Sequence, residues 1–176
     1  TGIRHRDTAL LEAIEQHQWD VVDHCQRHHA DINMKNKHGH TPIHRAARKE
    51  NWDTVKELTV RDGDPNLLDS EGYSVLHRAI NTKQWNVVKL VIQFHGDIHL
   101  PTRNNLKNTG LNMLIDARQT DVIQSTFMWC ADQWKGVNYR GETTLHAACL
   151  SGSTGILHDL IARRVSPLAV TSEGLS

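Results

Sequence analysis

Apolar positions in this chain come in short bursts with helical spacing, each followed by a polar stretch. Val87, Val88, Val91 and Ile92 place four side chains on one helical face, and Val55 and Leu58 do the same one period earlier. The segments "DTALLEAIEQHQWDVV", "HTPIHRAARKENWDTV", "YSVLHRAINTKQWNVV", "NTGLNMLIDARQTDVI" and "ETTLHAACLSGSTGIL" align on Thr8, Thr41, Ser74, Thr109 and Thr143, at intervals of 33, 33, 35 and 34. Trp19, Trp52 and Trp85 mark one place in the first three segments, 33 residues apart. A fixed period of this size is the signature of a stacked repeat.

Each unit reads as a helix, a tight turn, a second helix and an extended loop. Thr41 is placed to cap a helix whose first residue is Pro42, where the missing N–H costs nothing. The sequence then turns polar ("KEN", "TKQ"), and a second helix is predicted from the Trp-Asp or Trp-Asn step. Asp20, Asp53 and Asp121 fall in its first turn, where a carboxylate complements the helix dipole. Gly63 and Gly96 are expected to permit the chain reversal that follows. Helices of about ten residues are marginal alone in water, so their stability must come from stacking neighbouring units.

The runs "TPIHRAA", "SVLHRAI" and "TTLHAAC", with the loops "ADIN", "GDPN" and "GDIH", resemble the ankyrin repeat. The resemblance covers essentially the whole chain. It implies an all-α repeat solenoid of helix-turn-helix units with β-hairpin finger loops, with first helices on the concave face and second helices on the convex one. Units are expected at about 7–38, 39–71, 72–106, 107–140 and 141–173, with 174–176 opening a further one. The chain is accordingly expected to be part of a longer array. Thr41, Pro42, His44, Ser74, His77, Thr143 and His146 carry the repeat signature, and the resemblance implies that its histidines tie the helix start to the adjacent loop. Leu11 and Asn112 stand in the histidine slot of the first and fourth units. The loop "HLPTRNNLKN" is two residues longer than its counterparts, and "TFMWCADQWKGVN" predicts an irregularity in the fourth unit.

Composition narrows the function. Lys+Arg and Asp+Glu are 20 each among 176 residues, so no global charge points to nucleic acid or acidic lipid. No targeting segment or membrane span is visible. Cys25, Cys130 and Cys149 are odd in number and lie in apolar contexts, which suits free thiols and an intracellular setting, cytoplasmic or nuclear. His24, Cys25, His28 and His29 have metal-ligand chemistry, but the repeat register assigns Cys25 to the core and no paired motif completes a site, so no metal is expected. The thirteen histidines have no fixed nucleophile or carboxylate partner, and neither catalysis nor a cofactor is implied.

The remaining candidates concern binding. Arg45 and Arg78 occupy one slot in adjacent units, with Arg48 and Lys49 a turn further on, and in the family this slot faces the concave surface. They form a basic column suited to an acidic peptide or protein segment. Lys37, His38, Asp69, Glu71, Arg103, Asn104, Tyr139 and Arg140 are expected at fingertips as a second contact set. Trp19, Trp52 and Trp85 should not stack on each other, since stacked helices lie about 8–10 Å apart and ring stacking needs about 4.5–7 Å. Each is expected to lie across the start of its second helix and cover part of the next unit; an exposed docking stripe is the alternative. The reading is a protein-protein interaction module, with a regulatory or recruiting segment of a larger enzyme or bacterial effector, or a structural spacer, as alternatives.

Overall fold

A computed structural model describes residues 2–36, 38–103, 108–129, 143–150, 152 and 154–162. Helices α1 (Gly2–Glu15) and α2 (Trp19–Arg27) form a first pair, followed by α3 (Pro42–Arg48) with α4 (Trp52–Val60) and α5 (Val75–Asn81) with α6 (Trp85–Gln93). α7 (Gly110–Asp116) with α8 (Thr120–Trp129), and α9 (Thr144–Leu150) with α10 (Thr154–Ala162), complete the series. The first helices α3, α5, α7 and α9 pack in one row and the second helices α4, α6, α8 and α10 in another. The result is a helical repeat solenoid, as the periodicity predicts. The first helices of the later pairs span only seven residues, shorter than expected, whereas α1 extends to 14.

One core runs through the stack because equivalent positions are apolar in every pair. Leu10, Ile43, Leu76, Leu111 and Leu145 form one buried line along the first helices, and Ala13, Ala46, Ala79, Leu114 and Ala148 form another. The small alanines let the two rows approach closely. In the second helices Val22, Val55, Val88 and Ile123 are fully or almost fully buried.

Helix entries fall at the hydroxyl residues, where Ser74 and Thr109 accept from the His77 and Asn112 N–H groups, but Thr41, contrary to expectation, makes no side-chain cap bond. Thr41, Ser74 and Thr109 are all extended at the N-cap, with ψ of 167°, 168° and 156°. The exits correct one expectation. Among the described residues the left-handed helix exits are His17, Glu50, Lys83, Arg118 and Gly152 after first helices, and His29, Asp62 and His95 after second ones, with φ between 53° and 67°. Gly63 and Gly96 come one residue later, where their N–H groups bond back to Leu58 O and Val91 O at 2.8 Å. Glycine is needed there for space: a Cβ would lie 2.7 Å from the Leu58 carbonyl oxygen at position 63 and from the Val91 side chain and carbonyl oxygen at position 96. Seven of these eight left-handed exits hold residues with a Cβ, which disfavours that conformation, and the exit of α9 holds Gly152.

The β-hairpin fingers are also corrected. Among the described residues the loops contain no strand; Pro101 and Thr109 form an isolated bridge. Each finger closes on a few bonds, such as Asn36 N–H to His40 O at 2.9 Å and Asp69 N–H to Tyr73 O at 3.0 Å. Their arms are too short for a ladder. Neighbouring loops are joined instead by asparagines: Asn33 donates to Asp62 O and accepts from Asp64 N–H, and Asn66 repeats this with His95 O and Asp97 N–H. The Asn of "ADIN" and "GDPN" is therefore a stitch between units.

Between successive pairs, close approach of the helices themselves is concentrated from α3 onward. The first pair is held to the second largely by side chains, including Glu15 to Arg45, Asp23 to Arg61 and Gln26 to the Arg61 carbonyl. A cavity of about 80 Å³ lies between α1 and α3, lined partly by Leu11, Ile14, Pro42 and Ala46.

Replacing an exposed left-handed residue with glycine should stabilise the fold. We expect Glu50→Gly to raise stability by about 0.5–1 kcal/mol, less than the full left-handed penalty because glycine also loosens the unfolded chain. Thermal unfolding should show a midpoint roughly 1–4 °C higher; a lower midpoint would contradict this account of the helix exits.

Candidate partner-binding face

The signature histidines bond to the helix entries, and His44 and His77 are fully buried there, unavailable as surface ligands. Thr41 Oγ1 lies 2.7 Å from His44 Nδ1, while His44 Nε2 lies 2.9 Å from the Leu67 carbonyl in the next finger. A carbonyl can only accept, so Nε2 carries the proton and Nδ1 accepts from the threonine hydroxyl. Ser74 and His77 form a reciprocal capping box in which Ser74 N–H donates to His77 Nδ1 at 3.1 Å, and Thr143 with His146 repeats the contact. The implied link from histidine to loop is thus observed directly at His44. In the fourth pair Thr109 Oγ1 accepts from Asn112 N–H, with no imidazole in the slot.

Burial pushes the His44 and His77 pKa values below the ordinary 6.5, against the opposing pull of carbonyls in the following loop: Leu67 for His44, Leu100 and Asn108 for His77. Burial likewise lowers His99, against the Asp97 carboxylate. His40 is lowered by its partial burial and then by the Arg48 guanidinium beside it.

The basic column is present but bound up with the protein's own acids. Arg45 pairs with Glu15 at the end of α1, and Lys49 approaches the same carboxylate at 3.8 Å. Arg48 Nη1 donates to Glu71 Oε1 at 2.7 Å and lies 3.1 Å from His40 Nε2. Arg78 donates from Nε to Asp69 Oδ2 at 2.8 Å, pairs with the same oxygen through Nη2, and reaches Glu71 at 3.2 Å. The Tyr73 ring lies 5.3 Å from the Arg78 guanidinium carbon.

Asp69 therefore has to be moved from the fingertip set into the interior. Its side chain is 0% exposed and also accepts the Glu71 and Tyr73 N–H groups at 2.9 and 3.0 Å. Burial opposes its charge, but the Tyr73 N–H and Arg78 together hold its carboxyl below the usual range. Asp69 orients Arg78 and shapes the finger. Glu71 and His38 are exposed at the tip, and Arg103 is exposed on the next finger, where its N–H bonds to Gly72 O at 3.0 Å. Lys37, Asn104, Tyr139 and Arg140 lie outside the described residues, as do Cys130 and most of the irregular fourth-unit segment.

What the fold brings together is an open concavity of about 650 Å³ between the α3 surface and two fingers. Asn36, His38, His40, Arg45, Arg48, Lys49 and Ser70 line it, and no carboxylate is among them. His40, Ser70 and the flanking Glu15 were not picked out from the sequence. Glu15 and Arg45 are 30 residues apart, and only stacking makes them neighbours.

The tryptophans sit on the other side of the helix pairs. Trp19, Trp52 and Trp85 are half-buried and pack against the core. The Arg61 guanidinium of the next pair lies 5.0 Å above the Trp19 ring and is fixed there by Asp23 and Glu57. Trp19 thus covers part of the following unit. Near it, the His24 and His28 rings are 4.5 Å apart, and among the described residues no group of three His, Cys, Asp or Glu could hold a metal ion. Among the same residues no helix is long and apolar enough to cross a membrane.

Comparison with known proteins agrees with this architecture. The family model for ankyrin repeats, in three copies, matches residues 10–104, more than half of the chain. The chain belongs to the ankyrin-repeat family. No curated protein matches it. Among solved structures, one described as the Bd0816 predatory endopeptidase from Bdellovibrio bacteriovorus in complex with immunity protein Bd3460 is 22% identical, with a TM-score of 0.64 over 96% of this chain and 87% of that one. The ankyrin repeat protein EF0377 is 20% identical, with the same score and coverage. At such identity the likeness is one of fold.

Two outcomes follow from the buried polar groups. Arg78→Ala should cost about 3 kcal/mol because it leaves the Asp69 charge without its cation, whereas Arg48→Ala, at an exposed pair, should cost under about 1 kcal/mol; denaturant melts compare them. Stability should also fall as pH drops from 7.5 to 5.5. Unfolded histidines take up protons near 6.5 while His44 and His77, held lower by burial, take them up less readily when folded, so the unfolded state binds more protons as pH falls. His77→Gln should flatten that dependence; an unchanged slope would rule out His77 as a contributor.

Proposed function

We propose that the protein is a protein-interaction module that docks an acidic segment of a partner on the face formed by α3, α5 and the fingers. The open concavity lined by Arg45, Arg48 and Lys49, with their partners Glu15 and Glu71 outside its lining, is the observation that carries this reading. A cleft of this size and sign concentrates carboxylate-bearing chains and orients them through guanidinium and ammonium donors. Repeat membership adds support, since ankyrin repeats serve as protein-binding modules. So does the complex between an endopeptidase and an immunity protein among the related structures. Within the proposed site Arg48, Lys49 and His38 are the contact residues, and Arg45, Arg78, Glu71 and Arg103 flank them. The tryptophan side is left to packing.

Photo-crosslinking from single positions tests the placement. A benzophenone side chain at Lys49 or His38 should capture the partner from lysate, and one at Asn86, exposed on the second-helix side, should not. Combined Arg48→Ala and Lys49→Ala substitutions should reduce capture at least about tenfold while shifting the unfolding midpoint by no more than about 5 °C. Capture from position 86 in preference to 49 would place the interface elsewhere.

A further inference from the structure

The exposed acids beside the concavity are arranged as bridges, and one of them stands where an incoming carboxylate would have to go. Glu71 projects from a fingertip back onto the helix face, with one oxygen 2.7 Å from Arg48 on α3 and the other 3.2 Å from Arg78 on α5. Its side chain is 49% exposed, so it is held by charge and not by packing. We propose that Glu71 is an internal stand-in for the partner's carboxylate, occupying the Arg48–Arg78 fork in the free protein and giving way when an acidic segment binds. This rests on the acidic-partner reading above and specifies how that site is regulated.

The fork is built to survive the exchange. Arg78 keeps both hydrogen bonds to buried Asp69 when Glu71 leaves, so its guanidinium stays fixed. Arg48 keeps its approach to His40, which is itself held by the Ser70 hydroxyl at 2.9 Å. Glu71 loses an exposed ion pair of modest worth and its side chain turns into water. Its removal does not empty the site of order; it uncovers two oriented cations.

Local charge gives the exchange a direction. Arg45, Arg48, Lys49 and Arg78 face Glu15, Asp69 and Glu71, leaving a single net positive charge on the face. Displacing Glu71 doubles that net charge at the position where it can pair with a ligand. Lys49, 66% exposed and only 3.8 Å from its acid, is placed to take a neighbouring carboxylate of the same segment. Acidic chains with carboxylates close together are therefore selected over isolated ones.

The test is fluorescence anisotropy of a fluorescein-labelled nona-glutamate peptide against the full 176-residue chain. Glu71→Gln should bind the peptide roughly two- to fivefold more tightly than the wild type, the equivalent of one exposed ion pair. That gain should disappear in an Arg48→Ala background, and Asp121→Asn, which removes a distant exposed charge from α8, should not reproduce it. Equal affinity of wild type and Glu71→Gln, a gain undiminished without Arg48, or an equal gain from Asp121→Asn would each overturn the proposal. Failure of both proteins to bind the peptide would also overturn it, while crosslinking from Lys49 would still decide docking on this face independently.

Discussion

Helices of seven to fourteen residues are marginal alone in water, and the architecture of this protein follows from the need to stack them. The cost of ordering each unit is met at its contacts with the units on either side, so the side chains at those contacts recur at equivalent positions. Leu10, Ile43, Leu76, Leu111 and Leu145 are one such position seen five times. The small residues Ala13, Ala46 and Ala79 are another, where approach distance matters more than area buried. Polar groups at the same junctions recur too: a hydroxyl at the helix entry, joined by a histidine in three of the units, an asparagine between loops, and a left-handed residue at each exit among the described residues.

The stacking also explains why the charged surface looks as it does. Rows of parallel helices place equivalent slots side by side, so a basic residue at one slot becomes a column. Left alone, such a column would repel itself. Here Glu15, Asp69 and Glu71 are interleaved with it, one at the end of α1 and two on the finger between α3 and α5. Those acids differ in burial, and that difference separates structural from adjustable pairing. Asp69 is enclosed and meets four donors, whereas Glu71 is half exposed and bridges two arginines.

Much of the architecture was legible in the residues because periodic information is redundant. A single histidine or tryptophan says little, but His44, His77 and His146 in the same context, and Trp19, Trp52 and Trp85 at one interval, leave few folds that accommodate them. Helix starts at Trp19, Trp52 and Trp85 were readable for the same reason. Expectations went astray where local chemistry had to be inferred from one residue type. Gly63 and Gly96 looked like reversal points, yet the reversal belongs to Asp62 and His95, because the glycines answer a crowding problem set by Leu58 and Val91. The hairpin arms, inferred from the family, are too short to pair as strands.

The sequence by itself determined the repeat, the two rows of helices and the residues that fill the core, since all of these depend on spacing along the chain. Only the tertiary structure decided the fate of the charges. Asp69 reads as one more polar loop residue until the finger folds over α5 and closes it around Arg78. Glu15 and Arg45 have no local relation until two units stack. Electrostatic pairing depends on distance in space and on exposure to water, and neither is written in the order of residues. The same basic column can therefore be a solvated surface, a structural ladder or a docking site. In this fold the buried acid makes part of it a ladder, and the exposed one leaves the rest within reach of a ligand.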